Sequence, residues 1–439
     1  MSHSHSTKVL LDLKDKHIII DETLTEKKQY RQRLTNFIYG KLTYTPTHCP
    51  LCGGLNEAYS IVKNGMKESR IKWLPMANYP TILVLKKQRF LCRQCQQSFM
   101  AETPEVMTHC FIANRVKQSI AVEAGDKVAM TDLAKRHFVS TSCVVRVLAS
   151  LEPTFDNQCL DLPSALCFDE FKSVKRVEGA MSFIYMNADT REIIDILPDR
   201  RLFALRRHFS RYSLTARNNV KTVVIDMNAP YFILIQELFP NAKVVIDPFH
   251  LVQLMSRALN KTRIRVMAKF NHSKTYKQTD YTKLKHYWKL LVKERDALNY
   301  QNHHYHRLFK KQMVSTEIVD YLLTLDPELR ATYTYYQDLL DAYHSRNFDD
   351  FDARLTAVPP LVSEEMTTSI RTLKKHKERL RNTFASTYSN GPLEGTINKI
   401  KVIKRIAFGF RSFISFRRRI LISCQTSKKS SERHHSLTA

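Results

Sequence analysis

The chain has 439 residues, 43% of them apolar, and carries 69 Lys and Arg against 42 Asp and Glu, a formal net charge of +27. That length and apolar share predict two to four packed domains, and the charge excess points to a polyanion, either nucleic acid or an anionic membrane surface. No apolar run approaches the roughly 18–20 residues of a spanning helix, no signal-type segment opens the chain, and neither G-x-G-x-x-G nor G-x-x-x-x-G-K-[ST] occurs, which argues against a membrane protein, a secreted one, a dinucleotide enzyme and an ATP-driven motor.

Residues 1–45 are polar and mixed, with a short apolar run at Ile18-Ile19-Ile20 and no clear period; they are assigned as an N-terminal segment. "HCPLCGG" (48–54) and "FLCRQCQQSF" (90–99) then supply two C-x-x-C pairs, Cys49/Cys52 and Cys92/Cys95. Each pair forms a tight knuckle, so four thiolates close tetrahedrally on one Zn²⁺ with no position left for water: a structural site, in a zinc-binding domain over 46–105. His48 and His109 are the alternative ligands. "YPTILVLKKQRF" (79–90) reads as a strand leading into the second knuckle. The other five cysteines are scattered and read as small buried hydrophobes. Nine cysteines without a secretion signal fit a reducing cytosol.

"VAMTDLAKRHFVSTSCVVRVLASL" (128–151) reads as two short helices, with "FIANRVKQSIAVEA" (111–124) as a third in front. Leu133, Ala134 and His137 lie near one face of the first. Ser140 or Thr141 caps the second, whose Val144, Val145 and Leu148 are expected inward. This is a helix-turn-helix pattern over 106–152, with Ser142 and Arg146 facing DNA. Phe138 stands where the turn commonly has glycine; an ordinary helical hairpin is the alternative.

Beyond a linker at 152–164, "ALCFDEF" (165–171), "AMSFIYMN" (180–187) and "EIIDIL" (192–197) are spaced like an antiparallel meander. "TVVIDMN" (222–228) and "KVVIDPF" (243–249) run apolar without alternation, as strands buried on both faces do, and "APYFILIQELF" (229–239) supplies the crossover helix. Asp226 and Asp247 thus end two parallel strands, at the edge where open sheets place their sites. Asp169 ends the first strand of the meander; if that strand neighbours the one ending in Asp226, two carboxylates that close call for a proton or a cation between them. A helix beginning around 391–393 carries Glu394, Asn398, Lys401 and Arg405 on one face and Leu393, Ile397 and Ile400 on an adjacent stripe. Glu394 either holds an ion beside a phosphate strand or simply favours the helix N-terminus.

The order zinc knuckle, helix-turn-helix, "FDEF", "VVIDMNAPY", "DPFH", "SNGPLEGTINKIK" and "RIAFGFRSFISFRRRIL" resembles the ISL-three family of bacterial insertion-sequence transposases, over about 46–423. The resemblance implies a multidomain α+β/α/β protein: an RNase H-like mixed-sheet core (160–265 and 386–425) interrupted by an all-α insertion (266–385), with a short tail at 426–439. It implies an Asp, Asp, Glu triad of Asp169, Asp226 and Glu394 binding Mg²⁺ or Mn²⁺, and it assigns Asp247 with His250 to an auxiliary D-x-x-H element. Trp288 or Tyr287, in an insertion helix that interleaves aromatics with bases, is a candidate for stacking on flanking DNA, with core packing as the alternative. The expected activity is cleavage and strand transfer at terminal inverted repeats, on transposon-end and target DNA. Asn398, Lys401 and Arg405 would hold phosphates, and the working form would be a dimer or higher assembly on the bacterial nucleoid. The rival from another class is a DNA-binding regulator with an inactive RNase H-like domain.

Overall fold

The computed structural model describes residues 3–151, 158–271, 277–407 and 409–435. The expected linker lies outside them as far as residue 157, and so do the last four residues of the tail. The chain gathers into two compact units, Met1–Asp156 with Lys399–Ala439, and Asn157–Asn398. The expected segment 386–425 is therefore divided between the units, within one continuous helix.

The first unit begins with α1 (His3–Leu10), β1 (Ile18–Tyr30), β2 (Arg33–Leu42), β3 (Ile61–Met76), β4 (Tyr79–Cys92) and β5 (Ser98–Met100). The strands form one sheet in the order β1-β2-β4-β3, with β5 added to β4. Two of them come from the segment whose sequence shows no pattern, and the reason is their position. β1 lies at the sheet edge, buries Ile18 and Ile20, and then leaves the core as an exposed ribbon, where charged side chains guard an open edge and hide the alternation. β4 lies between β2 and β3, and its Thr81–Leu85 stretch is buried throughout.

Three helices follow: α2 (Asn114–Glu123), α3 (Met130–Arg136) and α4 (Thr141–Ala149). Leu133, Ala134 and His137 are buried as expected, and Ser140 caps α4 by accepting from the Cys143 N–H at 3.2 Å. In α4 the buried stripe is Cys143, Val144, Val147 and Leu148; Val145, expected inward, is exposed. Val116, Ile120, Leu133, Val144 and Leu148 share one core with Ile71, Trp73, Leu83 and Leu85 of the sheet, so the expected boundary at 105/106 does not separate two cores. The carboxyl-terminal helix of the chain also joins this unit. Its buried Arg419 donates to the carbonyls of Ala124, Asp126 (2.8 Å) and Val128 (2.7 Å), satisfying backbone oxygens at and beyond the end of α2. Burial pulls that guanidinium down to about 10.

The second unit is built on β6 (Ala165–Lys172), β7 (Met181–Asn187), β8 (Ile193–Leu197), β9 (Thr222–Ile225) and β10 (Lys243–Ile246), in the order β10-β9-β6-β7-β8. β6, β7 and β8 are an antiparallel meander; β6, β9 and β10 run parallel. α5 (Leu202–Phe209) and α6 (Leu214–Asn219) precede β9, and α7 (Ala229–Leu238) makes the crossover to β10. Phe168, Phe183, Phe209 and Phe239 pack ring against ring beneath the meander.

From α8 (Pro248–Lys269) the chain turns helical: α9 (Lys277–His286), α10 (Trp288–Leu291), then α11 (Ser315–Thr324), α12 (Pro327–His344), α13 (Phe348–Thr356), α14 (Glu364–Lys374) and α15 (Lys377–Ala385). The expected all-α insertion is interrupted by a two-stranded ribbon, β11 (His304–His306) with β12 (Lys311–Met313), too short and too polar to register as strands in the sequence. Tyr287 is buried against Phe309 and His306, which removes it as a stacking candidate, whereas Trp288 is 36% exposed. α15 covers the open edge of β10: the Thr383 hydroxyl bonds both the N–H and the C=O of Ile246, and Asn382 donates to the Val244 carbonyl at 3.2 Å. The last helices are α16 (Gly391–Ile406) and α17 (Phe413–His435).

Candidate active site and metal centre

The four knuckle cysteines converge. Their sulfurs lie within 4.8 Å of one another, with Cys49 to Cys95 at 3.8 Å and Cys52 to Cys92 at 3.9 Å. Four sulfurs placed tetrahedrally about 2.3 Å from one zinc ion are about 3.8 Å apart, the separation found in these two pairs. The knuckles are shaped by backbone. Gly53 takes φ +75° and donates to the Cys49 carbonyl, and Gln96 takes φ +57° in the second turn. Against the upward push of burial, the N–H groups of Leu51 and Cys52 bring the Cys49 thiol down to about 7. Cys95 goes up to about 12 despite the Gln97 N–H, because burial and the other sulfurs oppose a second negative charge. His48 and His109 are outside the group of four.

In the second unit Asp226 and Asp247 follow the carboxyl ends of β9 and β10, whereas Asp169, expected to end its strand, lies inside β6 and pairs with Ile184 of β7, which carries the strand on to Lys172. Cys167 pairs with Val224 in the β6–β9 register, so Asp169, on the part of β6 that runs past its pairing with β9, and Asp226, just beyond β9, stand at the same level. Both line one cavity of about 180 Å³, with Glu170, Met181, Asn228 and Tyr231. Burial first, then the charge of Asp226, pushes the Asp169 carboxyl up to about 7, although the Glu170 N–H and His250 pull it down. Nε2 of His250, in the first turn of α8, lies 2.9 Å from Asp226 Oδ1, and this neighbouring carboxylate raises the imidazole above its ordinary value. Asp247 completes a group with Asp226 and His250 in which one ligand atom from each lies within 4.8 Å of the others. The Asp247 carboxyl is raised by burial, against the Asn390 N–H and His250, with Asp226 and Glu394 adding repulsion.

Glu394 is exposed in the first turn of α16, outside that group, and its charge is felt at Asp247. Asn390, just before the helix, is what ties this helix to the sheet. It is buried; its N–H donates to Asp247 Oδ1 at 3.0 Å, its side-chain amide donates to the Phe168 carbonyl at 2.9 Å, and its carbonyl accepts from Glu394 N–H at 2.8 Å. One residue thus joins the strand of Asp169, the strand of Asp247 and the helix of Glu394. In the sequence Asn390 reads as a cap beside Ser389; its partners more than 140 positions away carry no local signal. Glu170, the next residue in "FDEF", is also engaged, by Arg200 and by the Tyr231 hydroxyl.

Asn398, Lys401 and Arg405 are exposed on the same face of α16 as Glu394, with Leu393, Ile397, Ile400 and Ile403 buried on the other. In the first unit, Ser142 and Arg146 are exposed one turn apart on α4, with Val145 between them. None of the helices formed by described residues is long and apolar enough to cross a membrane.

Residues 166–420, more than half of the chain, match the family model of the ISL3 (ISL-three) transposases. The chain belongs to the ISL3 family of transposases. A second family model, the zinc finger of the transposases of IS204, IS1001, IS1096 and IS1165, matches residues 45–95 and ends on the fourth cysteine of the cluster. Along most of its length the chain is similar to the transposase for insertion sequence element IS1001 of Bordetella parapertussis, 24% identical over 380 residues, 85% of this chain and 88% of that one. A shorter stretch of 117 residues is 44% identical to a Lactococcus lactis protein described as an ATP-dependent protease, covering 26% of this chain and 37% of that protein. This ISL3 chain lacks the phosphate-binding glycine motif of an ATPase throughout.

Proposed function

We propose that this ISL3 transposase cuts and joins DNA with Asp169, Asp226 and Glu394, on an RNase H-like core formed by the five-stranded sheet of the second unit. The observation that carries the reading is the convergence at the strand ends. Asp169 and Asp226 share a cavity, and Asn390 pins the start of the Glu394 helix to the same edge. An antiparallel three-stranded meander whose first strand is followed outward by two parallel ones is the arrangement that an RNase H-like core requires, and it supports that assignment.

The donor set suits a hard divalent cation. The acids offer oxygen, and the Asp169 carboxyl is pushed up to about 7 by burial and by its neighbour's charge, a penalty on the ionised form that bound Mg²⁺ or Mn²⁺ would relieve. When bound, such ions activate water or a 3′ hydroxyl as a nucleophile and stabilise the leaving oxygen of a phosphodiester. Asp169 and Asp226 would hold them from the sheet, and Glu394 would approach from α16. His250 orients Asp226, and Asp247 fixes Asn390 and thereby the helix start; both are positioning residues. Exposed Lys401 and Arg405 offer positive charge to phosphates.

The first unit supplies recognition in this reading. Its α2–α4 helices act as a helix-turn-helix, in which the left-handed turn at Phe138 (φ +51°) and the Ser140 cap present Ser142 and Arg146 to the major groove of a terminal inverted repeat. The zinc ion is structural. Net charge adds sequence-independent affinity that falls steeply with salt, and pairing of two transposon ends calls for a dimer or higher assembly. The test is incubation of purified protein with labelled end DNA and target DNA in Mg²⁺, mapping nicks and joints. Glu394→Gln is expected to keep end binding and lose both products. Full cleavage by that variant removes Glu394 from the chemistry, and binding without any cleavage by the wild type makes the protein a DNA-binding regulator.

A further inference from the structure

The first unit contains a cavity of about 310 Å³ that the reading above does not use. Its walls include Tyr30, Arg31 and Arg33 at the β1–β2 turn, Lys72 and Trp73 of β3, and Phe138 of the turn between α3 and α4. Three cations face it and no Asp or Glu lines it. Behind the wall, Glu123 is engaged by His137 (2.8 Å) and Arg136 (3.3 Å). Each guanidinium at the rim lies against a ring, Arg31 at 5.3 Å from Tyr30 and Arg33 at 5.6 Å from Phe138. Lys72 reaches in from the sheet and donates to the Phe138 carbonyl at 2.8 Å. Its half-buried ammonium is lowered by burial, with Arg31 and Arg33 adding to the shift.

The backbone around the rim is unusual in the same direction. Arg31 (φ +49°), Gln32 (φ +62°) and Phe138 (φ +51°) are all left-handed without being glycine, a conformation that costs a side-chain-bearing residue energy and persists where its surroundings hold it. Glycine would make the Phe138 turn without strain. Phenylalanine there keeps a ring at the mouth of the cavity.

We propose that this cavity binds one unpaired nucleotide of a DNA strand, its base against Phe138 and Tyr30 and its phosphate on Arg31, Arg33 and Lys72. Flat rings beside cations and an acid-free lining match a ligand with an aromatic body and a negative group. The volume lies at the lower end of the roughly 300–1,000 Å³ of small-molecule sites, suited to a single residue and not to a duplex, whose bases are already stacked. Base–aromatic stacking tolerates sequence because every base offers a π-face. A pocket of this kind would hold a frayed or flipped base beside the duplex read by α4. It uses none of the carboxylate chemistry.

The test is fluorescence anisotropy of the full-length protein, without divalent metal, on a short labelled single strand and on a blunt duplex of the same sequence. Phe138→Gly, Arg33→Gln and Tyr30→Leu are each expected to weaken single-strand binding by roughly five- to hundredfold, the range base stacking supplies, and Tyr30→Leu, which lies outside the α3–α4 turn, is expected to leave duplex binding unchanged. Phe138→Gly also relieves the left-handed turn, so its melting temperature should hold or rise, which separates loss of binding from loss of fold. Deoxyadenosine monophosphate should displace the single strand where inorganic phosphate does not. Equal losses on strand and duplex would show a duplex-backbone surface instead, equal competition by inorganic phosphate would show an anion site only, and no loss would show no site. Each of these overturns the proposal. Asp226→Asn is expected to leave single-strand binding intact, so failure of the cleavage reading and failure of this one are separable.

Discussion

Asp169→Asn should make the metal-free protein more stable while abolishing cleavage, and the structure gives the size of the effect. The Asp169 carboxyl is raised from 3.8 to about 7 by burial and by Asp226. The folded state therefore binds this proton more tightly than the unfolded chain does. Its contribution to stability is fully present below about pH 4, is lost as pH rises to about 7, and does not return above that. At about 1.4 kcal/mol per pKa unit the whole shift is about 4 kcal/mol. Asp169 is partly exposed, and relaxation of water around it leaves about 1–2 kcal/mol. Asparagine carries no charge and removes that penalty. At about 2–4 °C per kcal/mol for a unit of this size, Asp169→Asn should raise the melting temperature by about 2–8 °C near pH 8 and leave it unchanged near pH 4. Mg²⁺ or Mn²⁺ should then stabilise the wild type near pH 8 and the variant much less, because only the wild type has a buried charge at residue 169 to compensate. Differential scanning fluorimetry at both pH values, with and without metal, reads all four conditions. A variant that melts lower near pH 8, or gains equally at both pH values, would refute the claim that burial of Asp169, with the charge of Asp226 beside it, penalises its ionised form in the fold.

Asn390→Ala should leave the buried Phe168 carbonyl unpaired, costing about 1–3 kcal/mol in urea denaturation, and should lower cleavage more than end binding, since it loosens the Glu394 helix and nothing in the first unit. Cys92→Ser should take zinc from one ion per chain to none by elemental analysis and destroy cooperative unfolding of the first unit; retained zinc would place the ion elsewhere. Ser140→Ala should cost about 1 kcal/mol through loss of the α4 cap and weaken binding to end DNA, measured by gel shift, with cleavage lost in proportion.

The two C-x-x-C pairs, the unalternating runs that end in Asp226 and Asp247, and the apolar stripe of Leu393, Ile397 and Ile400 were all open to reading in the sequence. Each is a matter of residue type at short spacing, and short spacing survives folding because backbone geometry alone fixes it. Val145 faces solvent and not the core, because helical period places a stripe only to within a residue when apolar residues crowd together.

Other features belong to the tertiary structure. β2 is a strand because β4 offers it an edge, and β1 because β2 in turn offers it one, not because residues 1–45 carry a pattern. Asn390 reaches Phe168 and Asp247 across gaps of 222 and 143 residues, Arg419 satisfies the end of α2 from 295 residues away, and the ring of Phe138 meets Arg33 beside a cavity that no local motif announces. The sequence by itself determined which chemical groups the protein possesses and which short elements carry them. The three-dimensional fold decided which of those groups lose their water and which charges must then face one another, because desolvation and Coulomb repulsion depend on distance through space and not on distance along the chain.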